Sequence, residues 1–117
     1  MRNDLRDRTK AFAIRTWDLC STIPKSREFN AYVNQLIRCS SSVGANYRAS
    51  QRAKSRADFI NKLKIVEEEI DESMYFLELL METCKENISE IKLLHTEANE
   101  ILAIVVSSIK TARANGK

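Results

Sequence analysis

The chain has 117 residues, of which 44% are apolar and 30% are charged, a composition typical of one globular domain and not of a disordered segment. Two glycines and one proline are too few for the turns of an all-β protein, so long helices are predicted. The N-terminal residues lack the apolar segment of a secretion signal, and no apolar run approaches the ~20 residues that a membrane span requires. We therefore expect a cytoplasmic protein with no membrane partner.

The net charge of +3 conceals a strong asymmetry along the chain. Residues 1–66 carry a net charge of +9, residues 67–100 carry −9, and residues 101–117 carry +3. A basic half of this kind attracts polyanions if its charges share a face. The alternative is that the acidic segment folds back and neutralises the basic one, and both remain open at this point.

Two helices are predicted in the first half of the chain. The first covers residues 5–21 and ends before Pro24, whose missing backbone N–H interrupts helical hydrogen bonding. The second covers residues 26–54, and the hydroxyl group of Ser26 can cap its first turn. The first helix repeats an apolar side chain at Leu5, Phe12 and Leu19. The second has a heptad seam of apolar or small residues at Phe29, Val33, Leu36, Ser40, Val43 and Tyr47.

Two further helices are predicted in the second half. The third covers residues 56–85, and the fourth covers residues 88–114. Asn87 can cap the fourth helix, with Glu90 reaching back to complete a capping box. The seam of the third helix is Phe59, Leu63, Val66, Ile70, Ser73, Leu77, Leu80 and Cys84. The seam of the fourth is Ile91, Leu94, Ala98, Ile101, Val105, Ser108 and Ala112.

Neither glycine nor proline separates the second and third helices, so one continuous helix of 60 residues is an alternative. Ser55 followed by Asp58 is, however, a helix-start signal. The two seams also differ by two residues, which is about 200° of helix rotation. A chain reversal near Ser55 resolves this conflict, and facing residues such as Leu36 and Met74 then have numbers that sum to 110. We predict an all-α, antiparallel, up-down-up-down four-helix bundle that forms a single domain over residues 1–117.

Four segments around this reversal are distinctive. They are residues 40–49 (SSSVGANYRA), 58–63 (DFINKL), 68–73 (EEIDES) and 77–80 (LELL). Together they resemble a bacterial four-helix-bundle family whose members are encoded in intervening sequences of large-subunit ribosomal RNA genes. A related branch is the accessory variability determinant of diversity-generating retroelements. The resemblance implies a small antiparallel bundle that assembles as a ring-shaped homopentamer, with no established enzymatic activity. In the retroelement branch it also implies binding to nucleic acid and to a reverse transcriptase.

Basic residues concentrate at the end of the second helix and at the starts of the third and the first. Because the first helix runs antiparallel to the second, these segments are expected at one end of the bundle. A basic end of this kind can contact phosphates, although local ion pairs on a solvated surface are the alternative. The predicted nucleic-acid-binding residues are Arg6, Arg8, Lys10, Arg48, Arg52, Lys54, Arg56 and Lys62.

A polar layer is predicted between the second and third helices. The hairpin register places Arg38 level with Glu72 and Ser41 level with Glu69, and Asn46 lies further along the second helix. These side chains are interpreted as a partly buried structural layer that fixes register or a subunit contact. An ordinary surface ion pair is the alternative.

No arrangement for catalysis, for a metal or for a cofactor is predicted. A di-iron site of the ferritin type requires a Glu-x-x-His motif on each of two helices, and the chain has the single histidine His95. Cys20, Cys39 and Cys84 lack the paired spacing of a zinc site, and we expect buried free thiols. Gly44, in mid-helix, is expected to let a neighbouring helix approach closely.

Apolar residues outside the seams of the third and fourth helices are expected to mediate self-association, with a wide bundle interior as the alternative. They are Ile65, Phe76, Leu79, Leu102, Ile104, Val106 and Ile109. We therefore interpret the chain as a non-enzymatic homo-oligomer, a pentamer as the resemblance implies, that presents a basic surface to RNA or DNA. The alternative function is a protein-interaction scaffold with no nucleic-acid ligand.

Overall fold

The fold is a bundle of four helices, given by a computed structural model that describes residues 4–116 and contains no strand in that range. The helices are α1 (Asp4–Cys20), α2 (Arg27–Ser50), α3 (Arg56–Thr83) and α4 (Ile88–Ala114). Each helix is the backbone neighbour of two others, in the cyclic order α1, α2, α3, α4. The bundle measures 50 × 23 × 20 Å. The predicted all-α class is confirmed.

Side-chain contacts show that α2 and α3 run antiparallel. The rings of Tyr32 and Phe76 lie 6.1 Å apart, and Arg38 Nη2 lies 2.6 Å from Glu72 Oε2. Residue numbers therefore fall along α3 as they rise along α2, and Arg38 with Glu72 gives the predicted sum of 110. The chain reverses between the two helices, as the seam offset predicted.

α1 and α4 have the same antiparallel relation. Arg8 of α1 pairs with Glu97 of α4 at 2.7 Å, and Arg15 pairs with Glu90 at 3.4 Å. Between α3 and α4, His95 Nε2 lies 2.8 Å from Glu78 Oε2. These long-range contacts hold α4 between α1 and α3.

The core follows the predicted seams, although Phe29, Val33, Phe59 and Ala112 are only half-buried and the seam of α4 needs one correction. Its buried positions are Ile91, Leu94, Ala98, Ile101, Val105 and Ile109. The seam thus moves from the predicted Ser108 to Ile109, because a straight helix has 3.6 residues per turn and drifts from a strict heptad repeat. Ser108 is consequently half-buried at the edge of the bundle.

The three cysteines are buried free thiols, as predicted. Cys39 accepts a hydrogen bond from the Ser73 hydroxyl group across the α2–α3 contact, at 3.3 Å. Burial raises the pKa of the Cys20 thiol to about 11, so the reactive thiolate form is scarce at neutral pH.

Two side chains fix the reversal between α2 and α3. The Ser55 hydroxyl group accepts a hydrogen bond from the Asp58 backbone N–H at 3.0 Å, which caps α3. The Asp58 carboxylate accepts one from the Lys54 backbone N–H at 3.1 Å and another from the Lys62 ammonium group at 3.1 Å. These two donors hold the pKa of Asp58 below its ordinary value.

Two predicted helix ends were wrong, and the contacts of Asp58 explain the first of them. α2 ends at Ser50 and not at residue 54, because the Lys54 N–H bonds forward to Asp58 and the preceding N–H groups make tighter bonds three residues back. α3 ends at Thr83 and not at residue 85, because Cys84 is already extended.

The predicted capping box at the start of α4 was also wrong. Asn87 has a left-handed backbone with a φ of 58°, and its side chain makes no capping hydrogen bond. Its amide group instead donates to the Thr22 hydroxyl oxygen at 2.5 Å, which joins the two turns at this end of the bundle. Glu90 pairs with Arg15 on α1 and does not reach back to Asn87.

Removal of the Ser55 hydroxyl group tests the reversal. Ser55→Ala is expected to lower the free energy of unfolding by about 1 kcal/mol, because the Asp58 N–H loses its acceptor. Ser55→Asn retains a side-chain oxygen and should preserve most of the stability. Urea denaturation at one fixed protein concentration measures both variants, and an alanine variant as stable as the parent would contradict the capping role.

Candidate nucleic-acid interface

A groove between α1 and α2 gathers three of the predicted basic residues, Arg6, Lys10 and Arg48. It has a volume of about 440 Å³, and its remaining lining is small or polar apart from one acid, Asp7. We call this feature the basic groove. Within residues 4–116, none of its three cations has a carboxylate oxygen within 4.0 Å.

Gly44 lies at the floor of the basic groove and brings the two helices together. A Cβ atom placed on Gly44 would lie 3.2 Å from Thr9 Oγ1, closer than ordinary van der Waals contact. The predicted close approach is therefore confirmed, and the neighbouring helix is α1. Ser41 and Ala45 next to it are also small, so the cations of the groove flank a lining of short side chains.

Two predicted phosphate-binding residues are already paired with carboxylates. Arg8 donates to Glu97 through Nε at 3.0 Å and through Nη2 at 2.7 Å, and it also contacts Glu100 at 2.9 Å. Lys62 pairs with Asp58 one turn earlier on α3, at 3.1 Å. Their positive charges are locally neutralised, so we remove both from the predicted interface.

Three predicted residues extend the basic surface from the groove to the tip of the bundle. Arg52 and Lys54 are exposed in the turn after α2, and exposed Arg56 begins α3. Among the described residues, these three side chains form no ion pair. The basic groove and this turn together form the candidate interface.

The acidic residues of α3 lie on the other side of the molecule. Glu67, Glu68 and Asp71 line a groove between α3 and α4 with Lys64 and Leu102. In the cyclic order of the helices, this groove is opposite the α1–α2 groove. The fold therefore separates much of the charge into a basic and an acidic side, and it neutralises only part of it.

The predicted polar layer is present in part. Arg38 contacts both Glu69, at 3.4 Å, and Glu72, at 2.6 Å. Its side chain remains 49% exposed, so this is a bridge at the edge of the α2–α3 contact and not an interior layer. The inclusion of Asn46 was wrong, because its amide group donates to the carbonyl and hydroxyl oxygens of Ser42 in the same helix.

Comparison with known proteins places this fold in a family. The sequence profile of the 23S rRNA-intervening sequence protein family matches residues 2–107. The chain belongs to this family. The resemblance in the segments around the reversal is thus confirmed over nearly the whole chain.

A crystal structure from the same group supports the family assignment. It is a protein of unknown function from the S23 ribosomal protein family of Bacteroides thetaiotaomicron. It is 34% identical in sequence, with a TM-score of 0.83, and the match covers 91% of this chain and 98% of that one. No curated protein matches the chain significantly.

The exposed apolar surface of this intervening-sequence protein differs from the predicted one. Ile65 and Ile104 are exposed as expected, but Ile109 is buried, and Phe76 and Leu102 pack against the core. Other side chains are more exposed, namely Trp17 (63%), Leu93 (58%), Tyr75 (55%) and Ile14 (52%). Trp17 is outside the predicted repeat of Leu5, Phe12 and Leu19, and its exposure was not predicted. No described helix is both long and apolar enough to cross a membrane.

Arg6 and Arg8 provide a matched pair for separating charge that stabilises the bundle from charge that remains available. Arg8→Gln is expected to lower the free energy of unfolding by about 1 to 2 kcal/mol, because Glu97 loses two charge-assisted hydrogen bonds in a partly exposed setting. Arg6→Gln should leave stability nearly unchanged. Chemical denaturation of the two variants measures this difference, and equal losses would contradict the assignment.

Proposed function

We propose that this protein is a non-enzymatic cytoplasmic nucleic-acid-binding protein whose interface is the basic groove and the adjoining turn. One observation carries the proposal: Arg6, Lys10 and Arg48 converge on a single groove, with no ion-pair partner in residues 4–116. Holding like charges together is unfavourable unless an anion joins them. A phosphate backbone supplies such anions at regular spacing.

The chemistry of the groove favours backbone contacts over sequence reading. Its cations flank small residues, and its lining contains no Asn or Gln of the kind that pairs with the edge of adenine. Phosphate contacts release condensed counterions and give binding that weakens steeply as salt increases. The family is named for intervening sequences of 23S rRNA, so a structured RNA is the first ligand to test.

Neutralisation of the groove tests this function. The combined variant Arg6→Gln, Lys10→Gln, Arg48→Gln should bind a hairpin RNA at least about tenfold more weakly at low salt. The slope of log affinity against log salt should also fall by about 2 to 3, since about one phosphate contact is lost per cation. Filter binding at several salt concentrations measures both quantities.

The matched control changes the same net charge elsewhere. Lys25→Gln, Lys85→Gln, Lys92→Gln removes three exposed cations at or near the opposite end of the bundle and should leave RNA affinity close to that of the parent. An equal loss in both triple variants would show that only net charge matters. No RNA or DNA binding by the parent at low salt would reject the function and favour the protein-interaction scaffold.

We further propose that the protein acts as a homo-oligomer, with a second copy covering an apolar patch of α1. Ile14 and Trp17 are three residues apart and therefore share a face of α1. Both side chains are exposed, Ile14 by 52% and Trp17 by 63%. The patch is defined as Ile14 and Trp17. A ring of copies, five in the family's implied form, would repeat the basic surface and raise its avidity.

Polar substitution in the patch tests assembly. Ile14→Gln with Trp17→Gln should shift the protein towards monomer in sedimentation velocity, since apolar area no longer drives the contact. Tyr75→Gln, which removes a comparably exposed aromatic ring from α3, should leave the oligomer unchanged. A parent protein that sediments as a monomer at high concentration would overturn the assembly proposal.

A further inference from the structure

A crevice of about 690 Å³ opens at the basic tip, beside the turn between α2 and α3 and against the last turns of α4. Its volume is within the range of ordinary ligand sites. Its wall comes from two regions that are far apart in sequence. The lining residues are Ser50, Gln51, Ala53, Ser55, Arg56, Phe59, Ser107, Ser108, Thr111, Ala112 and Asn115.

The lining of the crevice is rich in groups that both donate and accept hydrogen bonds. Five hydroxyl groups and two amide groups line it, with one cation and no carboxylate in the lining. Two of these hydroxyl groups also bond within the protein: that of Ser50 donates to the Tyr47 carbonyl oxygen, and that of Ser55 accepts from the Asp58 N–H. Phe59 supplies an aromatic side chain, only half-buried by the core beneath it. An aromatic surface with a hydroxyl and amide rim suits a flat polar ring that carries its own donors and acceptors.

The cation of the crevice is positioned by the end of α4. A Cβ atom placed on Gly116 would lie 3.3 Å from Arg56 Cδ and 3.5 Å from Arg56 Nη1, so the arginine lies against this chain segment. Exposed Arg52 and Lys54 are in the adjoining turn. One side of the crevice therefore continues into the basic surface of the proposed interface.

The helix ends around the crevice argue against a small free anion. α3 begins here, and its first N–H groups carry partial positive charge. α2 and α4 both end here, and their last carbonyl groups carry partial negative charge. The site is therefore mixed in polarity, which favours a ligand with an anionic end and a neutral hydrogen-bonding body.

We propose that this crevice binds one unpaired nucleotide of a single-stranded nucleic acid, with its base against Phe59 and its phosphate at Arg56. The hydroxyl and amide rim faces the edge of the base and the sugar. The inference rests on the proposed function and deepens it, because it names single-stranded segments as the preferred ligand. A paired base inside a duplex cannot enter such a crevice, whereas an unstacked base can be turned outward.

Filling the crevice tests the inference. Ser107 is exposed on α4 and lines the crevice, so Ser107→Trp places a large ring in the opening. Ser89→Trp is the matched control on an exposed position at the other end of α4. Phe59→Leu is a second variant that keeps apolar volume in the core and removes the aromatic face.

The probes are a labelled 20-nucleotide RNA strand and the same strand annealed to its complement. The parent should bind the single strand about tenfold more tightly than the duplex, as base–aromatic stacking predicts. Ser107→Trp and Phe59→Leu should lose this preference while keeping the parent's affinity for the duplex, which also shows that they are folded. Ser89→Trp should behave as the parent.

Each failure has a distinct signature. If the parent binds strand and duplex equally, or if both crevice variants keep the preference, the crevice proposal is overturned and the basic-groove function stands. If the parent binds neither probe at low salt, the proposed function fails as well. A DNA strand of the same sequence shows whether the crevice distinguishes RNA from DNA. Weaker DNA binding supports contacts to the ribose 2′-hydroxyl group, and equal binding supports contacts to base and phosphate alone.

Discussion

Two hydrogen bonds at the reversal between α2 and α3 support the rest of the architecture. The Ser55 hydroxyl group accepts from the Asp58 N–H, and the Asp58 carboxylate accepts from the Lys54 N–H. Together they stop α2 and start α3 without a glycine or a proline. The reversal also removes the rotation of about 200° between the two seams, which would otherwise place half of the apolar residues in water. The hairpin core and the register of Arg38 with Glu72 both follow from it.

The antiparallel order of the four helices decides where the charges go. The turn between α1 and α2 brings the end of α2 beside the start of α1, so Arg48 lines a groove with Arg6 and Lys10. The turn between α3 and α4 brings the end of α4 back beside the α2–α3 turn, which forms the crevice around Phe59. Acidic residues of α4 lie at its contact with α1, where they form ion pairs with Arg8 and Arg15. Arg52, Lys54 and Arg56 at the tip are left without such partners among the described residues, and this imbalance is the link between the fold and the proposed nucleic-acid binding.

Sequence reasoning predicted the helices well because their signals are local. Periodic apolar residues and the Ser26 and Ser55 caps depend on neighbours within a few positions, and the structure confirms them. The sequence prediction failed where a residue far away in the chain provided another hydrogen-bond or ion-pair partner for a side chain. Asn87 bonds to Thr22 across two turns, and Glu90 bonds to Arg15, so the predicted capping box does not form. The family could also be recognised from the sequence, because the segments that carry the resemblance lie around the reversal, and the family profile matches residues 2–107.

The candidate site shows most clearly which features the sequence alone does not predict. The sequence alone determined that residues 1–66 are basic, that the chain folds back near Ser55 and that basic residues lie together at one end of the bundle. Only the tertiary structure decided which of those cations are available, because the pairing of Arg8 with Glu97 joins residues separated by 89 positions. It also moved Ser108 from the predicted seam to the crevice, since the accumulated drift of a straight helix becomes visible only against its neighbours. Helix caps and apolar periodicity depend on residues a few positions apart, so a short segment of sequence predicts them. Charge pairing and cavity shape depend on which residues far apart in the sequence come into contact in the fold.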